Sequence, residues 1–231
     1  MAALLGRMLR DTGHVFACVA FGKVKEIQTS RDDRIDSFIV PGDLAGSSLD
    51  NALRRYCDLV GQWKPDLIHV HGTEGVFGLL TARNMVTCPT VISLQGLLGP
   101  YSEWYRYFGN SSFMDIVRMH RLLEIPLMRG QLAGFLRFRK LAKREREIIA
   151  GNRCFMGRTA WDRAYVRALN PSAQYFHGGE LLREAFWRGE WDIGGIRRHR
   201  IIFTNAGHPE KEPRLCWRQS NCCSPITPIS S

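Results

Sequence analysis

The sequence predicts an α/β fold built on a Rossmann-like, doubly wound parallel sheet, and three observations carry that prediction. Short apolar strands alternate with amphipathic helices between residues 15 and 177, the strand within PTVISLQG is apolar throughout, and several strands end on a polar residue beside glycine. Alternation at this spacing is what a parallel sheet with crossover helices requires.

Taken in order, MAALLGRMLRDTGHVFACVAFG begins inside an amphipathic pattern with Leu4, Leu5, Met8 and Leu9 on one helical face. It then passes through Gly13 into the strand VFACVAFG. A domain of this class ordinarily opens on a buried strand whose following turn approaches the ligand, so the pattern reads as one whose first strand is missing. DSFIVPG is a short strand ending at Pro41 and Gly42. SSLDNALRRYCDLVGQW is a helix with a Ser or Asp cap and apolar positions at Leu49, Leu53, Tyr56 and Val60.

PDLIHVHG gives a strand between Pro65 and Gly72, followed by a helix over GVFGLLTARNM and the strand in PTVISLQG. Residues 99–136 are less regular, with aromatics at Tyr101, Trp104, Tyr105, Tyr107 and Phe108 before Arg118, His120, Arg121 and Arg129. FLRFRKLAKREREIIAG forms a long basic helix with Phe135, Phe138, Leu141 and Ile148 as an apolar stripe. CFMGRT is a strand, WDRAYVRAL a helix stopped by Asn170 and Pro171, and AQYFHGG the last strand of this domain. RIIFTNAG starts a new one.

The chain of 231 residues is 45% hydrophobic, enough for a core of ordinary size. Its 32 Lys and Arg against 22 Asp and Glu leave a net charge of +10, which favours an anionic partner without choosing among phosphate, nucleic acid and acidic lipid. No zinc-finger spacing, aromatic RNA-binding strand or recognition helix accompanies that charge, so nucleic acid is not expected as a partner. Cys18, Cys57, Cys88 and Cys154 are scattered singly, and Cys216, Cys222 and Cys223 lie near the end. Neither a metal site nor a disulfide framework is expected, and a reducing cytoplasm fits best. No run approaches the roughly 20 apolar residues of a spanning helix, and no signal-peptide pattern opens the chain.

Three strand ends carry the candidate chemistry: His71 and Gly72 after LIHV, Gln95 and Gly96 after VISL, and Arg158 with Thr159 after CFMG. In a parallel sheet all three lie on one edge. The polar side chains suit hydroxyl groups, and the neighbouring glycines permit close approach of a ligand or of backbone. His71 fits equally well as a hydrogen-bonded turn histidine, and His69 on the same strand face reads as structural. Arg158, Asp162, Glu180 and Arg183 also fit a surface ion-pair network.

PDLIHVHG, VISLQGLLGPYSEWY, GRTAWDRA, YFHGGELLR and RIIFTNAG, in this order, resemble the acceptor-binding N-terminal half of a retaining glycosyltransferase of the GT-B type, family 4. The resemblance covers roughly residues 1–210. It implies two facing Rossmann-like domains, with the sugar acceptor on the first, a nucleotide diphosphate sugar on the second as donor substrate, and no cofactor or metal. By the same resemblance Gln95 stands where many relatives place an active-site His, so Gln95 and His71 are the catalytic candidates, with Gln95 hydrogen-bonding a sugar since it cannot titrate. Gly72, Gly96, Arg158 and Thr159 would line the acceptor side, Glu180 and Arg183 the hinge side, and Gly207 and Lys211 would remain of the donor-phosphate turn.

The resulting division is an acceptor domain over residues 1–196, the first strand of a donor domain over 197–211, and an out-of-frame, disordered tail over 212–231. The tail EPRLCWRQSNCCSPITPISS follows no helical or strand period, and the glycine expected after Lys211 is absent. One permitted shifted reading of the codons restores a Lys-Gly pair and an amphipathic helix, which reading the coding DNA tests directly. The chain as it stands is then expected to be an inactive fragment of an enzyme that transfers sugar to a glycan or lipid-linked acceptor. The alternative is a non-catalytic module whose basic helix docks on a partner or on an anionic membrane at the inner face.

Overall fold

The computed structural model describes residues 11–22, 24–32, 35–41, 49–103, 107–109, 114, 130–179, 187–190 and 192–195. The helix expected at the N-terminus, the serines offered as a cap for the helix in SSLDNALRRYCDLVGQW, and the strand RIIFTNAG with everything after it lie outside the described residues. The chain divides into two compact units, one formed by Met1–Lys64 with Gly179–Trp191 and the other by Pro65–Gly178 with Asp192–Ser231.

In the first unit, β1 (Phe16–Gly22) pairs in parallel with β3 (Ile35–Pro41), and β2 (Gln28–Asp32) pairs antiparallel with β3. Strand β2, of sequence QTSRD, lacks any apolar alternation that would announce it. Its backbone is recruited by the neighbouring strand, where Asp32 opposes Ile35 at the start of the ladder. Helix α1 (Leu49–Trp63) follows, burying Leu53, Tyr56 and Leu59 at helical spacing. Tyr56 meets Phe21 edge to face at 5.4 Å, and the Trp63 indole donates to Asp36 Oδ2 at 3.0 Å.

The second unit is a four-stranded, wholly parallel sheet in the order β4 (Ile68–His71), β5 (Thr90–Ser93), β6 (Cys154–Gly157) and β7 (Gln174–His177). Each strand is joined to the next through a helix: α2 (Gly78–Ala82) before β5, α4 (Gly130–Gly151) before β6 and α5 (Ala160–Leu169) before β7. A short helix, α3 (Leu98–Tyr101), follows β5 directly. Because successive strands step in one direction, right-handed crossovers place these helices on one face of the sheet. Thr81 of α2 meets Thr90 of β5 at 2.8 Å, and an added Cβ at Gly78 would touch both Ile92 of β5 and Ile148 of α4. This mixed α/β architecture, a parallel sheet flanked by helices, agrees with the Rossmann-like expectation.

The core of this unit runs through Val70, Ile92 and Phe155 on successive strands and Leu79, Ala142, Ile148 and Ile149 on the helices, all buried. Two buried amides stitch the helix ends together. Asn152 Nδ2 donates to the carbonyls of Gly78 at 2.9 Å and Ile148 at 2.8 Å, while Asn170 Nδ2 donates to Ile149 and Asn152. Asn170, expected only as a helix stop, therefore also ties α5 back to the end of α4 and satisfies carbonyls there.

Helix α4 begins at Gly130, five residues before the expected Phe135, and its buried stripe differs from the expected one. Phe135, Ala142, Ile148 and Ile149 are buried, whereas Leu141 and Phe138 are only partly so. The amino end of the stripe packs with Phe108 and Tyr107, whose rings lie 5.4 and 5.3 Å from that of Phe135. The apolar face of α4 is thus spent inside the protein, leaving Arg137, Arg139, Lys140, Lys143 and Arg146 exposed.

Candidate functional site

The parallel ladder brings three of the expected strand ends to one edge. His71 pairs with Ser93, and Ser93 with Met156, so the segments beginning at Gly72, Leu94 and Arg158 leave the sheet side by side. Adjacent parallel strands stand about 4.8 Å apart, which makes this edge about 10 Å wide across its three strands. His71, Gln95, Gly96, Arg158 and Thr159 are all exposed there.

At the β4 end, Gly72 is buried, with φ +90°, and its amide donates to the Ser93 carbonyl at 2.8 Å. A side chain at this position would be strained by the backbone and would meet the Glu74 carboxylate folded over it. Glycine is therefore required by the turn itself, and not for close approach of a ligand. Gly96 is the reverse case: among the described residues an added Cβ would meet nothing within 4 Å, which leaves space over its α-carbon for a bound molecule.

His71 stacks on His69 with ring centroids 6.0 Å apart. The His69 Nε2 and the Ser93 hydroxyl are hydrogen-bonded at 2.6 Å, which accounts for His69 as a structural residue of this strand. Desolvation of the ring, and then the neighbouring His71, hold the His69 pKa below the ordinary histidine value.

At the β6 end, the Arg158 guanidinium donates to the Gln95 carbonyl at 3.1 Å, a direct link between two of the expected site residues. Asp162 accepts from the backbone amides of Arg158 and Thr159, each at 3.1 Å, while Thr159 Oγ1 accepts from the Asp162 amide. This reciprocal capping box starts α5. Tyr175 of the next strand donates its phenol to the Thr159 carbonyl at 3.1 Å. The Asp162 carboxylate thus serves a helix N-terminus, and the Thr159 hydroxyl is engaged in the cap. Glu180, Arg183, Gly207 and Lys211 lie outside the described residues.

The residue that reading the sequence missed is Glu145 of α4, which is fully buried. Its Oε2 accepts from the Thr73 hydroxyl at 2.7 Å and from the Leu98 amide at 2.9 Å, and its Oε1 accepts from the Gly99 amide at 2.7 Å. Thr73 lies just past β4, and Leu98 and Gly99 open α3 just past β5. One carboxylate therefore holds the segments that follow two of the candidate strand ends.

The local chemistry closes neatly at α3. The first amides of a helix lack intrahelical acceptors; here Leu98 and Gly99 are served by Glu145, and the next residue, Pro100, has no amide to satisfy. The Tyr165 phenol of α5 lies so close to Gly99 that an added Cβ would collide with it. Burial first, and then the charge of Glu145, push the Tyr165 pKa up and keep it a neutral phenol. The available sequence signal was periodicity: Phe135, Phe138, Ala142, Glu145 and Ile149 fall on one helical face, so a carboxylate occupies the buried stripe. Flanking Arg144 and Arg146 disguised it as part of a solvated basic run.

Among the described residues no group of three or more His, Cys, Asp or Glu is arranged to hold a metal ion. None of the described helices is long and apolar enough to cross a membrane. What the edge offers chemically is a set of exposed donors and acceptors, His71, the Gln95 amide and the Arg158 guanidinium, over open space at Gly96. No protein-family model matches the chain, and no curated protein matches it at a significant level.

Proposed function

We propose that this chain carries the acceptor-binding half of a GT-B retaining glycosyltransferase of family 4, on a Rossmann-like sheet. Its parent reaction moves a sugar from a nucleotide diphosphate sugar to a hydroxyl of a glycan or lipid-linked acceptor. The observation that carries this reading is the Arg158 link to Gln95 at the carboxyl edge of a parallel sheet, beside exposed His71 and the open Gly96. Ligands of such sheets bind beyond the carboxyl ends of the strands. Amide, imidazole and guanidinium groups are hydrogen-bonding partners that suit a polyhydroxylated ligand.

In this reading the Gln95 amide and His71 orient the attacking hydroxyl. Arg158 holds the Gln95 loop through its carbonyl and adds an exposed cation to the acceptor side. Glu180 and Arg183 belong to the hinge side and Gly207 and Lys211 to the donor phosphates, where cationic and backbone donors would stabilise the leaving diphosphate. Gln95 cannot accept a proton, so it positions and does not act as a base.

NMR titration of the 231-residue chain tests the proposal. The probes are methyl glycosides of glucose, galactose, mannose and N-acetylglucosamine. Shifts confined to the amides around His71, Gln95, Gly96 and Arg158 are expected from at least one glycoside. Absence of any saturable shift at this edge with all four sinks the acceptor-site reading.

A second reading is favoured by one specific feature, the exposed row Arg137, Arg139, Lys140, Lys143 and Arg146 along α4. Such a row attracts an anionic lipid surface by charge, at about 1 kcal/mol per basic residue close to it. Since the apolar stripe of α4 is packed inward, attachment would be electrostatic. Sedimentation with phosphatidylserine vesicles at low salt, reversed by salt, is its signature, and no sedimentation rejects it.

A further inference from the structure

We propose that Glu145 is a positioning residue that locks the segment after β4 to the segment after β5, and so presets the edge bearing His71 and Gln95. This rests on the reading of that edge as an acceptor site. The carboxylate itself touches neither His71 nor Gln95; it acts through the two segments to which it is bonded.

Three features support it. First, Glu145 is fully buried on the stripe of α4 that faces the protein interior, where an apolar residue would be the ordinary occupant. A buried carboxylate is strongly disfavoured unless donors surround it, so a residue of this kind is held in place by its partners. Second, those partners are donors from two chain segments remote in sequence: Thr73 on one side, Leu98 and Gly99 on the other. Third, each segment has a further anchor to the sheet, since the Gly72 amide donates to the Ser93 carbonyl and the Leu94 amide to the Met156 carbonyl, both at 2.8 Å. Residues 72–73 and 94–99 are therefore fixed at both ends, and the exposed Gln95 and Gly96 are a short span between fixed points.

The consequence is preorganisation. A hydroxylated ligand gains little from each hydrogen bond in water, so the net affinity depends on not having to order the loops that bind it. A carboxylate bonded to one segment alone would be an ordinary helix cap; bonded to both, it makes the position of one strand end depend on the other.

The test compares the wild-type chain with Glu145→Gln, whose amide can accept through one oxygen only. Amide hydrogen exchange and the affinity for the four methyl glycosides named above are the readouts. Exchange at both Thr73–Gly75 and Leu98–Gly99 is expected to rise roughly tenfold or more while Ile92 in β5 stays protected. Glycoside Kd is expected to rise about tenfold in parallel. Faster exchange at Leu98 and Gly99 alone, with residues 73–75 unchanged, overturns the proposal by reducing Glu145 to a local cap.

Faster exchange at both segments with unchanged Kd also overturns it, since the residue would then be structural only. If the wild type binds none of the glycosides, the acceptor-site reading fails separately, and the lock stands or falls on exchange at the two segments. Should Glu145→Gln fail to fold, Thr73→Val removes one bond and leaves the α3 cap in place. It is expected to raise exchange over residues 73–75 and Kd by roughly threefold, within the worth of one hydrogen bond, and no change in either overturns the lock.

Discussion

Helices α3 and α5 both start at the carboxyl edge of the same sheet, and they solve the problem of their unpaired amides in opposite ways. At α5 the solution is local: Thr159 and Asp162, three residues apart, cap each other. At α3 the acceptor is Glu145, 46 residues away from Gly99 in sequence and on another helix. The local cap can form before the fold exists. The remote one requires α4, α3 and the β4 turn to be in place together, and in return it joins two strand ends that a local cap would leave independent.

The largest effect expected from breaking this contrast comes from Glu145→Ala. It leaves the Thr73 hydroxyl and two amides without their buried acceptor and should cost about 4 kcal/mol of unfolding free energy, read from urea midpoints. A loss below about 1 kcal/mol would mean that water replaces the carboxylate readily.

Gly99→Ala comes next. Its methyl group would meet the Tyr165 phenol, and overpacking of this sort costs about 2 kcal/mol. Tyr165→Phe in the same chain should recover part of that loss, and simple additivity of the two substitutions in a double-mutant cycle would show that the collision is not what matters.

Thr159→Ala sharpens the contrast from the other side. Loss of a local cap should cost about 1 kcal/mol by thermal unfolding, with no change in amide exchange at Thr73 or Leu98. Coupling between the two caps would show that the local cap and the remote one are not independent.

Arg158→Ala should change stability by no more than about 0.5 kcal/mol, as an exposed side chain, while weakening glycoside binding at the Gln95 edge. A large stability loss would make Arg158 a structural strut.

The smallest effect is one of pH. The His69 pKa is depressed in the folded protein, so folding favours the neutral ring; stability should be unaffected above the ordinary histidine value of about 6.5 and decline as pH falls through the lower folded value. His69→Gln should flatten that part of the profile, and an unchanged slope would assign the pH dependence elsewhere.

Much of the sheet unit was legible because its signals are local. The strands at Ile68–His71, Thr90–Ser93, Cys154–Gly157 and Gln174–His177 each coincide with a short segment rich in β-branched, aromatic or other apolar residues and bounded by Gly, Pro or a polar residue. Once they are parallel, His71, Gln95 and Arg158 must share an edge. Strand β2 was not legible, since QTSRD has no pattern of its own and owes its conformation to β3. Nor was the difference between the two glycines: Gly72 answers to a positive φ and Gly96 to open space, and neither is visible in one letter.

The sequence by itself determined the alternation of elements and the shared edge, because periodicity is a property of neighbours along the chain. Only the tertiary structure decided that the carboxylate between Arg144 and Arg146 faces inward. A buried charge is tolerated where donors converge on it, and here those donors, Thr73, Leu98 and Gly99, come from distant parts of the chain. Their convergence is a product of the fold.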